Sequence, residues 1–223
     1  MLRSSAAAIT SASRIDPDGA ITVVDQQRGY VVSLWHAAYQ ADSHTWSAGG
    51  AQVSYLDSNG LDARTNKSDN PHNGGSLRGN NGAVAAVRLD EVKAGSIDHV
   101  LKIALGPEAS LRHVFPMVGS DGSSNDPFAP PTGLRLRIKP SVDLKALNLT
   151  PEALVIARAI QRYGVYVGDD AGTTSLKLEN TRVEGRGQLW TLTGSALRSL
   201  PFTSGFWDVL PEGYDPSRTG GSP

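Results

Sequence analysis

Residues Thr150 to Gly172, TPEALVIARAIQRYGVYVGDDAG, constrain the fold more than any other stretch, because a helix with both ends marked runs straight into a strand. Thr150 is placed to cap the first turn, and Pro151 has its backbone preset for the first helical position. Ala153, Ile156, Ala157, Ile160 and Tyr163 share one stripe, while Glu152, Arg158, Gln161 and Arg162 fall largely off it, and Gly164 suits a left-handed cap. A helix with one apolar stripe must lay it on something. Val165-Tyr166-Val167 is β-prone, so the unit reads as a helix packed on a sheet and leading into a strand that ends at Asp169 and Asp170. Two carboxylates thus stand where a strand opens into a loop.

The remainder of the chain is strand-rich. Ile21–Val24, Tyr30–Ala38 and Thr45–Leu56 are expected strands, followed by Ile97–Leu105, Arg112–Phe115, Leu134–Lys139, Val165–Gly168, Ser175–Leu178, Gln188–Thr191 and Phe206–Leu210. Apart from the helix above, one more short helix is expected, over Ser195–Leu200 before Pro201. Asp57–Gly82 is so rich in Asn, Gly, Ser and Asp that it reads either as a solvated excursion or as a loop folded around a ligand. Many short strands with Gly/Pro-marked turns favour a mainly β fold, a jelly-roll-like sandwich with one main helix on the sheet, and α+β is the alternative. The 223 residues divide into an N-terminal extension (1–18), a single β-rich domain (19–212) and a polar tail or linker (213–223).

A formal net charge of −1 gives the chain as a whole no electrostatic reason to seek nucleic acid or an anionic membrane. No apolar run approaches the roughly 20 residues of a membrane-spanning helix. The lack of cysteine removes disulfides and thiolate metal sites. His36, His44, His72, His99 and His113 form no HxH or HxxxH pair, so no metal or other cofactor is expected, although structural calcium in the Asn/Asp-rich loop is compatible with its composition. No phosphate-binding glycine loop, GxSxG elbow or dinucleotide fingerprint is present.

Three constellations can carry chemistry. In Ile97–Leu105, alternation puts His99 in the row of Ile97, Leu101, Ile103 and Leu105, either as a hydrogen-bonded core residue or as a group at the base of a cleft. In Gly133–Lys139, alternation puts Arg135, Arg137 and Lys139 on one face, either to grip the anions of an acidic polymer or as a solvated outer face. The acids that punctuate the strands, Glu91, Asp121 in Gly-Ser-Asp-Gly and Asp169, are the residue types that cleavage of a glycosidic bond needs, and Ser-Asp-Gly is equally an ordinary turn. Of the tryptophans, Trp35 and Trp207 lie in strand runs and read as core. Trp46, beside a polar turn, reads as an exposed platform for a sugar ring.

Four ordered segments, GSIDHVLKIAL, FPMVGSDG, GLRLRIKPSVDL and AIQRYGVYVGDDAG, resemble the GxIxHAL, YPAxxSDG, GxRLRLK and ALxxYGxxxxD motifs of an uncharacterised, mostly exported bacterial protein family. The likeness spans roughly residues 20 to 210. It implies an extracellular or secreted protein, near polysaccharide processing or in a phage-like particle, and its recurrent polar positions fall on His99, Asp121, Arg135, Tyr163 and Asp169, with Glu91 upstream. Ser33 stands where the pattern has an acid, and Val100 replaces the alanine after the histidine.

Two functions remain open at this point. One is a secreted carbohydrate-active enzyme, a glycoside hydrolase or polysaccharide lyase, with His99 as acid/base, Asp121 or Glu91 as its carboxylate partner and Asp169 as a second acid. In it Arg135, Tyr163 and Trp46 bind the polysaccharide. The other is a non-catalytic carbohydrate- or receptor-binding module of a cell surface or phage particle.

Overall fold

A computed structural model describes residues 19–57, 77–106, 110–181, 189–191, 196–198, 200, 201, 203–211, 214 and 217. The expected strands at the start of the chain form, but in shorter pieces. β1 (Ile21–Asp25), β2 (Tyr30–Trp35) and β5 (Gly50–Tyr55) make a three-stranded antiparallel sheet in the order β1-β2-β5. Between β2 and β5 the chain leaves the sheet for a hairpin of β3 (Ala38–Gln40) and β4 (Thr45–Ser47). The break has a local cause: His36 has a φ of +49°, its ring stacks on Trp35 at 3.6 Å, and Gly49 lies against the Trp35 ring and the His36 Cβ. Trp35 is consequently exposed, not in the core.

A short helix, Leu89–Ala94, was not legible as a periodic run. It is only six residues long, with no side-chain cap at Arg88, and it closes on Gly95 at φ +85°. Because that helix and its exit use up residues 96–100, the next strand starts at Leu101, not at Ile97. β6 (Leu101–Leu105) is followed by β7 (Ser110–His113), β8 (Pro131–Thr132), β9 (Arg135–Ile138), a 3-10 turn (Leu144–Leu147), the main helix (Pro151–Tyr163), β10 (Val165–Asp170), β11 (Ser175–Leu176) and β12 (Trp207–Val209). Residues 189–191 are not a strand, and 196–198 form a turn where a helix was expected; Gln188, Ser195 and Ser199 lie outside the described residues, as do 58–76 of the polar loop.

The central sheet has five strands in the order β11-β6-β10-β9-β12, with β6 and β10 parallel and the other neighbours antiparallel. The chain is therefore mainly β, with several sheets and one main helix. That helix forms as its ends foretell. The Thr150 hydroxyl accepts from the Ala153 N–H at 3.3 Å, and Ala153, Val155, Ile156, Ala157, Ala159 and Ile160 are buried against Leu101, Ile103, Ile138 and Val165. Gly164 ends it at φ +83° and ψ −173°, an extended backbone open almost only to glycine, and not the expected left-handed cap. A Cβ there would stand 2.7 Å from the Leu136 carbonyl oxygen, so the helix passes into β10 only because that carbon is missing.

The cationic row on β9 is engaged by partners within the chain. Arg135 donates to the carbonyls of Tyr163 and Tyr214 and lies over the Tyr166 and Tyr214 rings. Arg137 bonds Asp208 and the Tyr214 hydroxyl, and Lys139 reaches the Ser204 carbonyl. These cations hold β9 to the C-terminal segment and to the end of the main helix.

Candidate functional site

The four candidate catalytic residues fall into two pairs at opposite ends of β6. His99 precedes the strand and is paired with Glu91 of the short helix: its Nε2 lies 3.0 Å from Glu91 Oε2, and its Nδ1 lies 2.8 Å from the Val100 carbonyl oxygen. Glu91 also accepts from Arg88 at 2.9 Å. Nearby, the Tyr163 hydroxyl donates to Asp98, and burial raises the Tyr163 phenol, with Arg162 pulling it back and Asp98 adding to the rise. His99 is thus neither a member of an apolar strand row nor sealed in the core; it ties the short helix to the start of β6.

The second pair lies where β10 opens. Asp169 is matched with Ala104 across the parallel pair, so roughly 13 Å of extended chain, from Val100 to Ala104, separates it from the His99 end. Asp121 is carried by the Ser-Asp-Gly turn between β7 and β8. Ser120 anchors that turn by donating to the Ser110 carbonyl at 2.6 Å, with its oxygen 2.7 Å from the Thr132 hydroxyl, and it accepts from the Gly122 N–H. One Asp121 oxygen accepts from the Asp170 N–H at 3.1 Å, and the other from Arg78 Nη2 at 2.8 Å. The same guanidinium nitrogen reaches Asp169 at 3.4 Å. All three side chains are partly open to solvent, with exposures of 29% for Arg78, 24% for Asp121 and 45% for Asp169.

One guanidinium nitrogen within reach of both brings Asp169 close to the charge of Asp121, and a like charge nearby disfavours ionisation. Partial burial, the hydrogen bond with Asp121 and repulsion from its charge push Asp169 up to about 7, against the opposite pull of Arg78 and Lys102. Lys102 sits beneath. Its side chain is buried inside the sheet, and its ammonium donates to the Asn81 carbonyl at 2.7 Å and to the Asn80 side chain. Desolvation, helped by Lys177 and opposed by Asp169, lowers its pKa to about 7. Near neutral pH Asp169 therefore passes between acid and base, beside the fixed cation of Arg78.

Sequence reasoning found Asp121 and Asp169 but not Arg78, Asn80, Asn81 or Lys102. Arg78 was one cation in a polar loop, and its φ of +54° is invisible in sequence. Lys102 did carry a signal, a cation flanked by Leu101 and Ile103 in an apolar strand run, and the 77–82 segment meets its ammonium. Ser33, at the position of the missing acid, is buried; it donates to Asn81 at 2.9 Å and accepts from the Gly82 N–H at 2.6 Å, so it serves the same segment.

Arg135 and Tyr163, expected to bind substrate, stand at the end of the main helix with the bonds already described. Trp46 is exposed on β4, opposite Tyr39, with ring centroids 5.2 Å apart, and the Tyr39 hydroxyl meets His44 Nδ1 at 3.0 Å. Among the described residues no group of three His, Asp or Glu side chains is arranged to hold a metal ion, and no helix is long and apolar enough to cross a membrane. No protein-family model matches the chain, and no significant match was found among curated proteins or solved structures.

Proposed function

We propose that this protein is a secreted carbohydrate-active enzyme that cleaves an extracellular polysaccharide by elimination, with the Asp121–Asp169 pair as its proton-transfer unit. The observation that carries the reading is that one Arg78 nitrogen reaches both carboxyls, Asp121 at 2.8 Å and Asp169 at 3.4 Å. A pair gathered on one guanidinium nitrogen serves as one acid and one base on the same side of the substrate. In elimination the ionised carboxylate takes the proton beside a uronate carboxyl, a C=C bond forms, and the neighbouring C–O bond breaks. The leaving oxygen then takes its proton from the protonated partner, so the pair ends each turnover with the proton moved from one oxygen to the other.

The extracellular setting and polysaccharide substrate are supported by the four ordered motifs and by the exposed Tyr39–Trp46 pair, whose faces suit a pyranose ring. A jelly-roll form of the sandwich belongs to the same proposal; its support is the antiparallel three-stranded sheet, and the parallel β6–β10 pair weighs against it. The binding-module reading is favoured by one observation, that the Tyr39–Trp46 pair stands on a hairpin apart from the carboxyls.

A panel of uronate-rich and neutral polysaccharides separates these readings. Elimination predicts ultraviolet absorbance from unsaturated sugar ends with the wild type, and a loss of about 100-fold or more with Asp169→Asn. New reducing ends without absorbance would replace elimination by hydrolysis. Retention of a polysaccharide that is never cut, abolished by Trp46→Ala, would establish the binding module.

A further inference from the structure

We propose that Lys102 is the positioning residue of the Asp121–Asp169 pair: from inside the sheet it fastens the 80–81 turn and thereby seats the Arg78 guanidinium on the two carboxyls. Its role in proton transfer rests on the reading above; the coupling itself does not.

β6 is buried on both faces at its middle. Leu101 and Ile103 point into the core beneath the main helix, and Lys102, only 5% exposed, points the other way. A lysine at such a place needs a path and an end point. Gly168 of β10 makes the path: a Cβ there would stand 2.4 Å from Lys102 Cδ and 2.5 Å from Cγ, and the strand register slips at this residue, between Val167 and Asp169. The bulge that admits the lysine stem is the one that turns Asp169 toward Asp121. The end point is the pair of acceptors on Asn80 and Asn81.

Asn81 is itself locked. Its amide donates to the carbonyls of Val31 and Gln52 at 3.2 and 3.4 Å, and its side-chain oxygen accepts from Ser33 and from the Ala83 N–H. Gly79 donates to the Gln52 side chain at 3.2 Å, and the Arg78 carbonyl accepts from Val118 at 3.0 Å. The turn is therefore held by the three-stranded sheet on one side and by Lys102 on the other, and the Arg78 stem runs past Gly119 to the two carboxyls.

The charged groups facing this arrangement are Lys177 beyond β11, Asp169 on β10, Asp121 on the β7–β8 connection and Arg78 on the turn. A neutral lysine amine still carries two N–H groups, enough for the two acceptors, so the fastening persists when Lys102 loses its proton. Its geometry is constant while its charge follows pH, and the carboxyl pair feels that charge.

The test is a titration of 13C-labelled aspartate carboxyls by NMR, which needs no substrate. In Lys102→Met the upper midpoint, that of Asp169, is expected to rise by about one unit, because the buried cation is gone and the guanidinium is unseated. An unchanged midpoint in a folded Lys102→Met protein overturns the proposal. Should that variant not fold, Asn80→Ala keeps the lysine and removes one of its two acceptors; the midpoint must again rise, and an unchanged value again overturns the assignment. A shifted midpoint in a protein that cuts no polysaccharide leaves Lys102 in this role and removes the enzyme. Cleavage with an unshifted midpoint does the reverse.

Discussion

At the scale of single residues, the chain places two groups where folding works against their ordinary charge. Asp169, raised from 3.8 to about 7, holds its proton more tightly folded than unfolded. Between those values the folded state binds more protons, so this contribution is full below the unfolded value and is lost as pH rises through about 7. Lys102, lowered from 10.5 to about 7, holds its proton less tightly folded. Its contribution is present above 10.5 and is lost as pH falls through about 7. Together they press stability down near neutrality from both sides. Asp169→Asn removes the acidic limb, so the melting temperature of the variant relative to wild type should climb as pH goes from 4 to 7. Parallel curves would show that Asp169 titrates as an ordinary carboxyl. Both acids were visible in the sequence as punctuation after strands. Their meeting was not, because it depends on Arg78, whose left-handed backbone and distant partners leave no trace in the local pattern.

At the scale of elements, legibility followed periodicity. The main helix was marked by its cap, its proline and its stripe, and it forms over Pro151–Tyr163. Replacing Ile156, 1% exposed in the core, with Ala should cost about 3 kcal/mol, and Thr150→Ala about 1 kcal/mol, both read from denaturant midpoints. If Ile156→Ala cost less than Thr150→Ala, the stripe would not be what holds the helix. The short helix at Leu89–Ala94 had too few residues to show a period, and by consuming the residues up to 100 it removed His99 from the strand row in which alternation had placed it. The β9 cations show the converse failure. Alternation predicted their shared face correctly but said nothing of the Tyr163, Ser204 and Tyr214 carbonyls and the Asp208 carboxylate that occupy them.

At the scale of the whole molecule, the candidate site is an assembly of three segments: Arg78 is 43 residues from Asp121 and 91 from Asp169. The five-stranded sheet supplies Asp169 and Lys102, the β7–β8 connection supplies Asp121, and the turn bonded to the three-stranded sheet through Asn81 supplies Arg78. Contacts this distant are set by tertiary packing, which is why composition and spacing gave a mainly β chain and left Asp121 and Glu91 as alternative partners of His99, of which the fold brings Glu91 to it. The claim on which the site stands is that Asp169, gathered with Asp121 on Arg78, keeps its proton far above the ordinary carboxylate range, and a pH titration of its carboxyl carbon in the wild-type protein measures it directly. A midpoint near 7 is predicted for Asp169. A midpoint near pH 4 for that carbon would contradict it.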